Sequence, residues 1–149
     1  MGSVDGGRIE AIYITPQHGR LPHAVDSVRA IAGKGLEGNR YFDEGAPEKE
    51  LTLIEAEALE GLLAEHGIAV DGAASRRNVL TRGVRLNDLV GKRFRVGEVE
   101  CRGIELCEPC LHLQSMTRPG VIKGLVHRGG LNAEILTDGV LRPGDAVSG

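Results

Sequence analysis

Apolar residues alternate with polar ones in short runs along most of this chain, and glycines or prolines separate the runs. Ile12 and Ile14 lie two positions apart before Pro16, a spacing that places both side chains on one face of a strand. The strand that contains them is predicted over residues 8–15. Similar patterns predict further strands over residues 24–32, 50–54, 77–81, 93–96, 99–107, 134–136 and 146–147. Many short strands with few helices predict a mainly β fold, either a barrel or a sandwich.

One stretch has a clear helical period, and its apolar stripe consists of Leu59, Leu62 and Leu63. Thr52 and Glu55 have the spacing of a capping box at its start, and Gly67 is suited to end it. A second, short helix is predicted after Pro119. The turn at residues 142–145 is expected to form a hairpin or to close a barrel.

Length and composition limit the class of protein. A chain of 149 residues is expected to form a single domain over residues 1–149, with residues 1–7 as a flexible N-terminus. The formal charge of -3 provides no field that attracts nucleic acid, and no run of about 18 apolar residues is present to span a membrane. Three cysteines without a secretion signal predict free thiols in a reducing compartment, the cytoplasm.

The most informative chemical feature is the motif Cys107-Glu108-Pro109-Cys110, which follows an apolar run. Two cysteines at this spacing can bind a metal, exchange electrons as a dithiol, or leave one thiol to carry sulfur. Cys110 is the candidate functional thiol, because Pro109 stiffens the approach to it and a polar segment follows. Cys101 lies within an alternating strand and is expected to pack as a small apolar residue.

Two of these alternatives fit the surrounding sequence less well. A zinc site would take Cys107, Cys110, His112 and His127, but a second CxxC or an HxxxH is absent, and Cys110 and His112 are only two positions apart. A thioredoxin-like pair is expected at the start of a helix after a βαβ unit, which the pattern does not predict. The sequence favours a thiol that handles sulfur and keeps zinc as the secondary interpretation.

Two further features carry positive charge. Arg76-Arg77-Asn78 offers two guanidiniums to an anion and a carboxamide to the edge of a heterocycle, although a solvated pair of arginines is the usual outcome. The glycine-rich residues 33–40 include Lys34 and Arg40, and their backbone N–H groups could cradle a phosphate. This stretch is not a Walker A motif, so a flexible loop is the alternative.

In their order along the chain, these motifs resemble the MOSC domain, which is named after the C-terminal part of molybdenum-cofactor sulfurase. The resemblance covers most of the chain and is carried by residues 35–40, 51–54, 76–79, 83–84, 89–91, 94–97, 107–110 and 139–145. It implies a MOSC-type β-barrel with a few peripheral helices. It also implies a role in sulfur and molybdenum-cofactor chemistry.

The resemblance also implies roles for individual residues. The signature cysteine of the family aligns with Cys110, which would accept sulfur as a persulfide from a pyridoxal-phosphate-dependent cysteine desulfurase, or ligate molybdenum directly. The Arg-Asn pair of the family aligns with Arg77 and Asn78, which are expected to face the anionic cofactor. Asn39 and Tyr41 depart from the family pattern, which commonly has an acidic residue and a histidine at these positions. The protein would depend on a partner for sulfur.

The leading hypothesis is a standalone MOSC protein that carries sulfur on Cys110 or handles the molybdenum cofactor, molybdopterin. The acceptor would be a molybdenum enzyme or its cofactor, and either Arg77 or Arg128 would favour the thiolate form of Cys110. The residues expected to bind the cofactor are Lys34, Arg40, Arg76, Arg77, Asn78 and Arg128. One alternative is a reductase of N-hydroxylated compounds with Cys110 on molybdenum, and another is a zinc-stabilised binding module without catalysis. Whether the protein is an enzyme stays open.

Overall fold

The alternating runs of the sequence form the strands of a curled β-sheet. The structure is a computed structural model that describes residues 7–16, 22–70, 75–106 and 129–149. The strands within these residues are β1 Arg8–Ile14, β2 His23–Val25, β3 Val28–Ile31, β4 Gly35–Leu36, β5 Leu51–Glu55, β6 Val79–Arg82, β7 Arg93–Val96, β8 Val99–Leu106, β9 Leu131–Ile135, β10 Gly139–Leu141 and β11 Val147–Ser148. The same described residues contain one α-helix, α1 Ala56–His66, and two 3-10 turns, Pro47–Lys49 and Leu86–Leu89. The prediction of a mainly β fold is confirmed.

The strands form two sheets. Eight strands follow the order β11-β7-β8-β9-β5-β6-β1-β2, and β10-β3-β4 form a smaller sheet. Among the described strands, the only parallel neighbours are β5 and β6, because α1 lies between them in the chain and returns it to the same end of the sheet. Residues 24–32, predicted as one irregular strand, belong to β2 and β3, which Asp26 and Ser27 separate.

Backbone hydrogen bonds join the start of β1 to the chain just before β11. Ile9 N donates to Asp145 O at 2.8 Å, Gly144 N donates to Ile9 O at 2.8 Å, and Val147 N donates to Gly7 O at 2.9 Å. Gly7 permits this approach, since a Cβ there would lie 2.4 Å from Val147 O. The large sheet therefore curls until its two sides meet, and the turn at residues 142–145 has the barrel-closing role predicted for it.

Two groups of buried apolar residues stabilise this arrangement. The inner group fills the curled sheet with alternate residues of its strands, as in Leu51 and Leu53 of β5. The outer group packs α1 against the opposite face of β5 and β6 and consists of Ile54, Ala58, Leu59, Leu62, Ile68 and Val70, with Leu80 against it. β5 is therefore buried on both faces, as expected for a strand covered by a helix.

The start of α1 differs from the prediction. The helix begins at Ala56, and Glu55 at the N-cap makes no capping hydrogen bond through its side chain. Thr52 instead lies in β5, where its hydroxyl donates to Asn78 Oδ1 at 3.0 Å. The predicted capping box is wrong because β5 pairs with β6 as far as Glu55, opposite Thr81, so the strand continues through Glu55. The predicted end is confirmed: Gly67 adopts a φ of 66° and its N–H donates to the last turn.

Two partly buried carboxylates make folding sensitive to pH. Burial raises the pKa of Glu50 and of Glu55 above 4.5, although each accepts a backbone hydrogen bond, from Ile135 N and Leu86 N respectively. Each carboxyl group has a higher pKa in the folded protein than in the unfolded chain. Its contribution to stability is therefore fully present below the pKa of the unfolded chain and is lost as the pH rises through the pKa of the folded protein.

We therefore expect the free energy of unfolding of the wild type to fall between pH 5 and pH 7. In Glu50→Gln this fall is expected to be smaller, by up to about 1 kcal/mol. Urea unfolding at the two pH values measures this difference, with Glu98→Gln as the control at an exposed position. An identical pH dependence in the wild type and Glu50→Gln would contradict the assignment.

Candidate functional site

Three strand ends bring basic residues to one end of the barrel. β1 runs antiparallel to β6, and β5 runs parallel to β6, so the end of β1 lies beside the starts of β5 and β6. Lys49 lies two residues before the start of β5, and Arg76 and Arg77 come just before β6. Arg40 is held at the same end, because its N–H donates to Thr15 O, just past β1, at 2.7 Å. Residues distant in the sequence are thereby gathered at one end of the sheet.

Tyr41 lies at the centre of this group. The Arg40 guanidinium carbon is 4.7 Å from the centre of the Tyr41 ring, and the Lys49 ammonium nitrogen is 4.8 Å from it. Both distances are typical of cation–π contacts. Among the described residues, no carboxylate forms an ion pair with Arg40 or Lys49. We refer to Arg40, Tyr41, Lys49 and Arg76 as the cationic cluster.

Arg76 is the buried member of the cationic cluster. Its residue is 9% exposed, so the expectation of a solvated arginine pair does not hold for it. Burial lowers the pKa of the Arg76 guanidinium, and the positive charge of Arg40 lowers it further. Both effects oppose a charged Arg76, and an anion bound between the two guanidiniums would offset both.

The backbone at Arg76 is also unusual. Its φ is +62°, in the left-handed region that non-glycine residues seldom adopt. This conformation costs on the order of 1 kcal/mol and is found disproportionately at functional sites. Both the backbone conformation and the burial of Arg76 therefore cost free energy in the folded protein.

Arg77 has a different role from its neighbour. Its Nε donates to Gly129 O at 2.8 Å, and Nη1 donates to Ser75 O at 3.4 Å. Gly129 is the first described residue after residues 107–128, and Leu106, the last before them, pairs with Leu131. The two ends of the cysteine-bearing segment are therefore neighbours, and Arg77 is bonded to one of them.

The thiol candidates and Arg128 cannot be placed from these contacts. Cys107, Cys110, His112, His127 and Arg128 lie outside the described residues. The short helix predicted after Pro119 lies there as well. Their assigned roles stay predictions. What the structure does show is that Gly129, which follows Arg128 in the chain, contacts Arg77.

Asn78 joins three strands. Its Oδ1 accepts from Thr52 N at 3.2 Å and from the Thr52 hydroxyl at 3.0 Å, and its Nδ2 donates to Tyr13 O at 3.1 Å. The residue is 6% exposed. These contacts give Asn78 a structural role between β1, β5 and β6, and its contact with a pterin stays a prediction.

The glycine-rich residues 33–40 are a β-hairpin and a following turn. The N–H groups of Lys34, Glu37 and Asn39 donate to Ile31 O, Arg29 O and Leu36 O, at 3.0, 2.9 and 3.1 Å. These amides are not available to cradle a phosphate, so the predicted backbone cradle is not supported at these positions. Lys34 is exposed in the hairpin turn, and no described contact joins its side chain to the cationic cluster.

Sequence analysis missed two members of this site. Tyr41 was noted only as a departure from the family pattern, and no role was predicted for Lys49. Lys49 reaches Tyr41 because the 3-10 turn Pro47–Lys49 brings the chain back to the barrel before β5. The adjacency of Arg40 and Tyr41 was the only local signal, since the approach of Lys49 and Arg76 depends on the fold.

The described residues bear on Cys101, on metal clusters among themselves and on membrane-spanning helices, whereas the predicted zinc ligands lie outside them. Cys101 is fully buried, and burial raises the pKa of its thiol to about 12, so it packs as an inert residue as predicted. Within residues 7–16, 22–70, 75–106 and 129–149, no three His, Cys, Asp or Glu side chains are placed to hold a metal ion. The helix in this part of the chain is too short and too polar to cross a bilayer.

The donor set at this end of the barrel suits an anionic cofactor. Guanidinium groups bind phosphate oxygens through paired N–H donors, and a lysine adds a compact charge. A buried arginine beside a second arginine is the kind of position that phosphate stabilises. Arg40, Lys49 and Arg76 are therefore the described residues whose chemistry fits a phosphate group.

Comparisons with known proteins agree with this fold. The YuaD protein from Bacillus subtilis superposes with a TM-score of 0.82 at 15% identity, covering 95% of this chain and 93% of that one. YiiM from Geobacillus stearothermophilus superposes with a TM-score of 0.75 at 17% identity, and the match covers 95% of this chain and 74% of that one. YiiM from Escherichia coli superposes with a TM-score of 0.70 at 19% identity, and the match covers 95% of this chain and 68% of that one. At these identities the likeness establishes the fold alone.

The family is established by the sequence itself. No curated protein matches this sequence. The MOSC domain, however, matches residues 41–148, which begin at Tyr41 of the cationic cluster and extend through β11. The match covers well over half of the chain and includes both the arginine pair and the cysteine motif. The chain belongs to the MOSC domain family.

Proposed function

We propose that this protein handles the molybdenum cofactor and carries sulfur as a persulfide on Cys110. The observation that carries the proposal is the buried Arg76 beside Arg40, in a chain of the MOSC domain family. A cofactor with a phosphate group carries the charge opposite to that of these two guanidiniums. When bound, the molybdenum cofactor supplies the metal and pterin that sulfur transfer serves.

The residues of the protein itself have separate roles in this function. Arg40, Lys49 and Arg76 hold the phosphate, and Arg77 fixes Gly129 at the end of the cysteine-bearing segment. A neighbouring guanidinium lowers the pKa of a thiol, and Arg77 or Arg128 would do so for Cys110. This division explains why adjacent arginines have unlike environments, one buried near Arg40 and one bonded to a carbonyl.

Sulfur transfer to Cys110 is a thiol exchange. The Cys110 thiolate attacks the terminal sulfur of a persulfide on a pyridoxal-phosphate-dependent cysteine desulfurase. The sulfur–sulfur bond of the donor breaks, the donor cysteine leaves as a thiolate, and the terminal sulfur with its proton stays on Cys110. The acceptor is a molybdenum enzyme or its cofactor, which receives the sulfur as sulfide. An external dithiol supplies the two electrons that break the persulfide bond, is oxidised to a disulfide, and leaves Cys110 as a thiol.

The test is the intact mass of the purified chain after incubation with such a desulfurase and free cysteine. We expect the mass to rise by one sulfur atom in the wild type and in Cys101→Ser, since Cys101 is buried. The added sulfur is expected to be absent in Cys110→Ser and lost from the wild type on treatment with dithiothreitol. Cys107→Ser shows whether the first cysteine of the motif is needed.

Two outcomes would contradict the proposal. Equal sulfur uptake by Cys110→Ser and the wild type would remove the assigned role of Cys110. Stoichiometric molybdenum and pterin in protein from a cofactor-producing host, without any sulfur uptake, would support the N-hydroxylated-compound reductase instead.

A further inference from the structure

Tyr41 holds two cations that repel each other. Arg40 lies 4.7 Å and Lys49 lies 4.8 Å from the centre of the Tyr41 ring, and the positive charge of Arg40 contributes to lowering the pKa of the buried Arg76. Like charges gathered at a barrel end separate into solvent unless something attracts them. The negative face of an aromatic ring attracts cations at these distances, so Tyr41 offsets part of the repulsion.

We propose that Tyr41 is the positioning residue of a subsite for a phosphate monoester dianion, with its ring holding Arg40 and Lys49 beside Arg76 so that all three cations converge on one phosphate group. The inference rests on the proposed function, since the phosphate group is taken to be that of the bound cofactor. It adds Lys49 as a phosphate ligand and assigns to Tyr41 a role that needs its ring and not its hydroxyl.

The choice of a dianion follows from the number and kind of donors. Arg40 and Arg76 each offer a planar fork that suits two oxygens of one tetrahedral group, and Lys49 offers a point charge. A carboxylate has two oxygens and one negative charge, so it would leave one cation without a contact. A phosphate monoester has three terminal oxygens and close to two negative charges near neutral pH, which matches three cations better.

Lys49 is suited to this task by its position. It ends the 3-10 turn Pro47–Lys49, and the next residue, Glu50, directs its carboxylate to Ile135 N. The Glu50 oxygen is therefore engaged by the backbone and is not an ion-pair partner of Lys49. Glu48, the other acidic neighbour in the sequence, forms no ion pair with Lys49 in the described structure.

The experiment titrates inorganic phosphate into the full chain at low ionic strength and measures the dissociation constant calorimetrically. Loss of the ring in Tyr41→Leu is expected to weaken binding about fivefold, and Tyr41→Phe, which keeps the ring, is expected to stay within about twofold of the wild type. Lys49→Met is expected to weaken binding about tenfold. The matched control is Lys92→Met, at an exposed lysine outside the cluster, with no change expected.

The outcomes separate this inference from the proposed function. Absence of phosphate binding by the wild type, or equal binding by Tyr41→Leu and the wild type, would overturn the subsite. Equal weakening by Tyr41→Phe and Tyr41→Leu would overturn the role of the ring. Sulfur uptake on Cys110 is measured in the same variants: uptake without phosphate binding contradicts only the subsite, and phosphate binding without uptake contradicts only sulfur carriage.

Discussion

Replacing Gly130 by alanine is expected to destabilise the protein by more than about 3 kcal/mol. Gly130 has a φ of +111°, which side-chain-bearing residues avoid, and a Cβ there would lie 2.1 Å from Leu53 O and 3.1 Å from Leu53 C. The obstructing atoms belong to the backbone of β5, which is buried on both faces. No side-chain rotation relieves the collision, so either β5 or the chain at Gly130 has to move.

A control variant separates the collision from the backbone conformation. Gly45 has a φ of +71°, and a Cβ there would have no neighbouring atom within 4 Å, so Gly45→Ala is expected to cost about 1 kcal/mol. Urea unfolding of both variants gives the two free energies. Equal costs would show that the contact between Gly130 and β5 is not as close as the structure has it.

Gly130→Ala also tests the anchor of the cysteine-bearing segment. Gly129, its neighbour, accepts the hydrogen bond from Arg77 Nε. Displacing Gly130 is expected to move Gly129 and break this bond. A folded fraction of Gly130→Ala is therefore expected to take up sulfur more slowly than Gly45→Ala does.

Asn78→Ala is expected to destabilise the fold by about 2 to 4 kcal/mol. The substitution removes the two hydrogen bonds that Asn78 Oδ1 accepts from Thr52 and the one that Nδ2 donates to Tyr13 O. Thr52 N and Tyr13 O lie in different strands, and a buried polar group that loses its partner carries a desolvation cost of about 1–3 kcal/mol. Three strands lose their common contact at once.

The matched control is Asn132→Ala, at an asparagine of β9 whose Nδ2 makes one exposed hydrogen bond to Glu105. We expect it to cost less than about 1 kcal/mol, because water replaces that bond. Chemical unfolding measures both variants. If Asn78→Ala cost no more than Asn132→Ala, the structural role of Asn78 would be wrong, and its place in ligand contact would gain support.

The alternation of apolar residues predicted the strands well because one face of each is buried. β7 and β8 follow the expected period, and Val99, Cys101 and Gly103 are buried on one face of β8. In β1 a register irregularity between Ile9 and Ala11 breaks the period, so the buried residues Ile9 and Ile12 are three positions apart. Close packing against Leu89 also requires a glycine at position 103, since a Cβ there would lie 2.1 Å from Leu89 O. Contacts of this kind join elements that are distant in the sequence. The alternation of apolar and polar residues within one strand therefore could not predict them.

Local motifs were reliable where the contact is local and misleading where it is not. Gly67 ends α1 through bonds within four or five residues, and its role was predictable. Thr52 has the spacing of a cap, but its hydroxyl bonds to Asn78, 26 residues away. The tertiary contact prevails because it satisfies a buried carboxamide, which costs more to leave unpaired than an exposed helix end.

The candidate site shows the same division. The arginine pair was identified from its sequence, but its two members have different environments in the structure. Arg76 is buried, and the charge of Arg40 lowers its pKa, whereas Arg77 bonds to Gly129. Lys49 had no local signal, because only the packing of the 3-10 turn beside Tyr41 brings it into the cationic cluster. The order of motifs predicted the family, whereas the composition of the cationic cluster depends on the fold.

Cys110 and the cationic cluster are expected to serve one ligand. The most direct test is the rate at which iodoacetamide alkylates Cys110 at pH 7, with and without saturating pyrophosphate, followed by peptide mass spectrometry. An anion bound near the thiol shields it and raises its pKa, and both effects slow alkylation. We expect a slowing of about fivefold or more in the wild type that disappears in Arg76→Met. An alkylation rate that is unchanged by pyrophosphate, at concentrations where calorimetry shows the anion bound, would contradict the claim that they form one site.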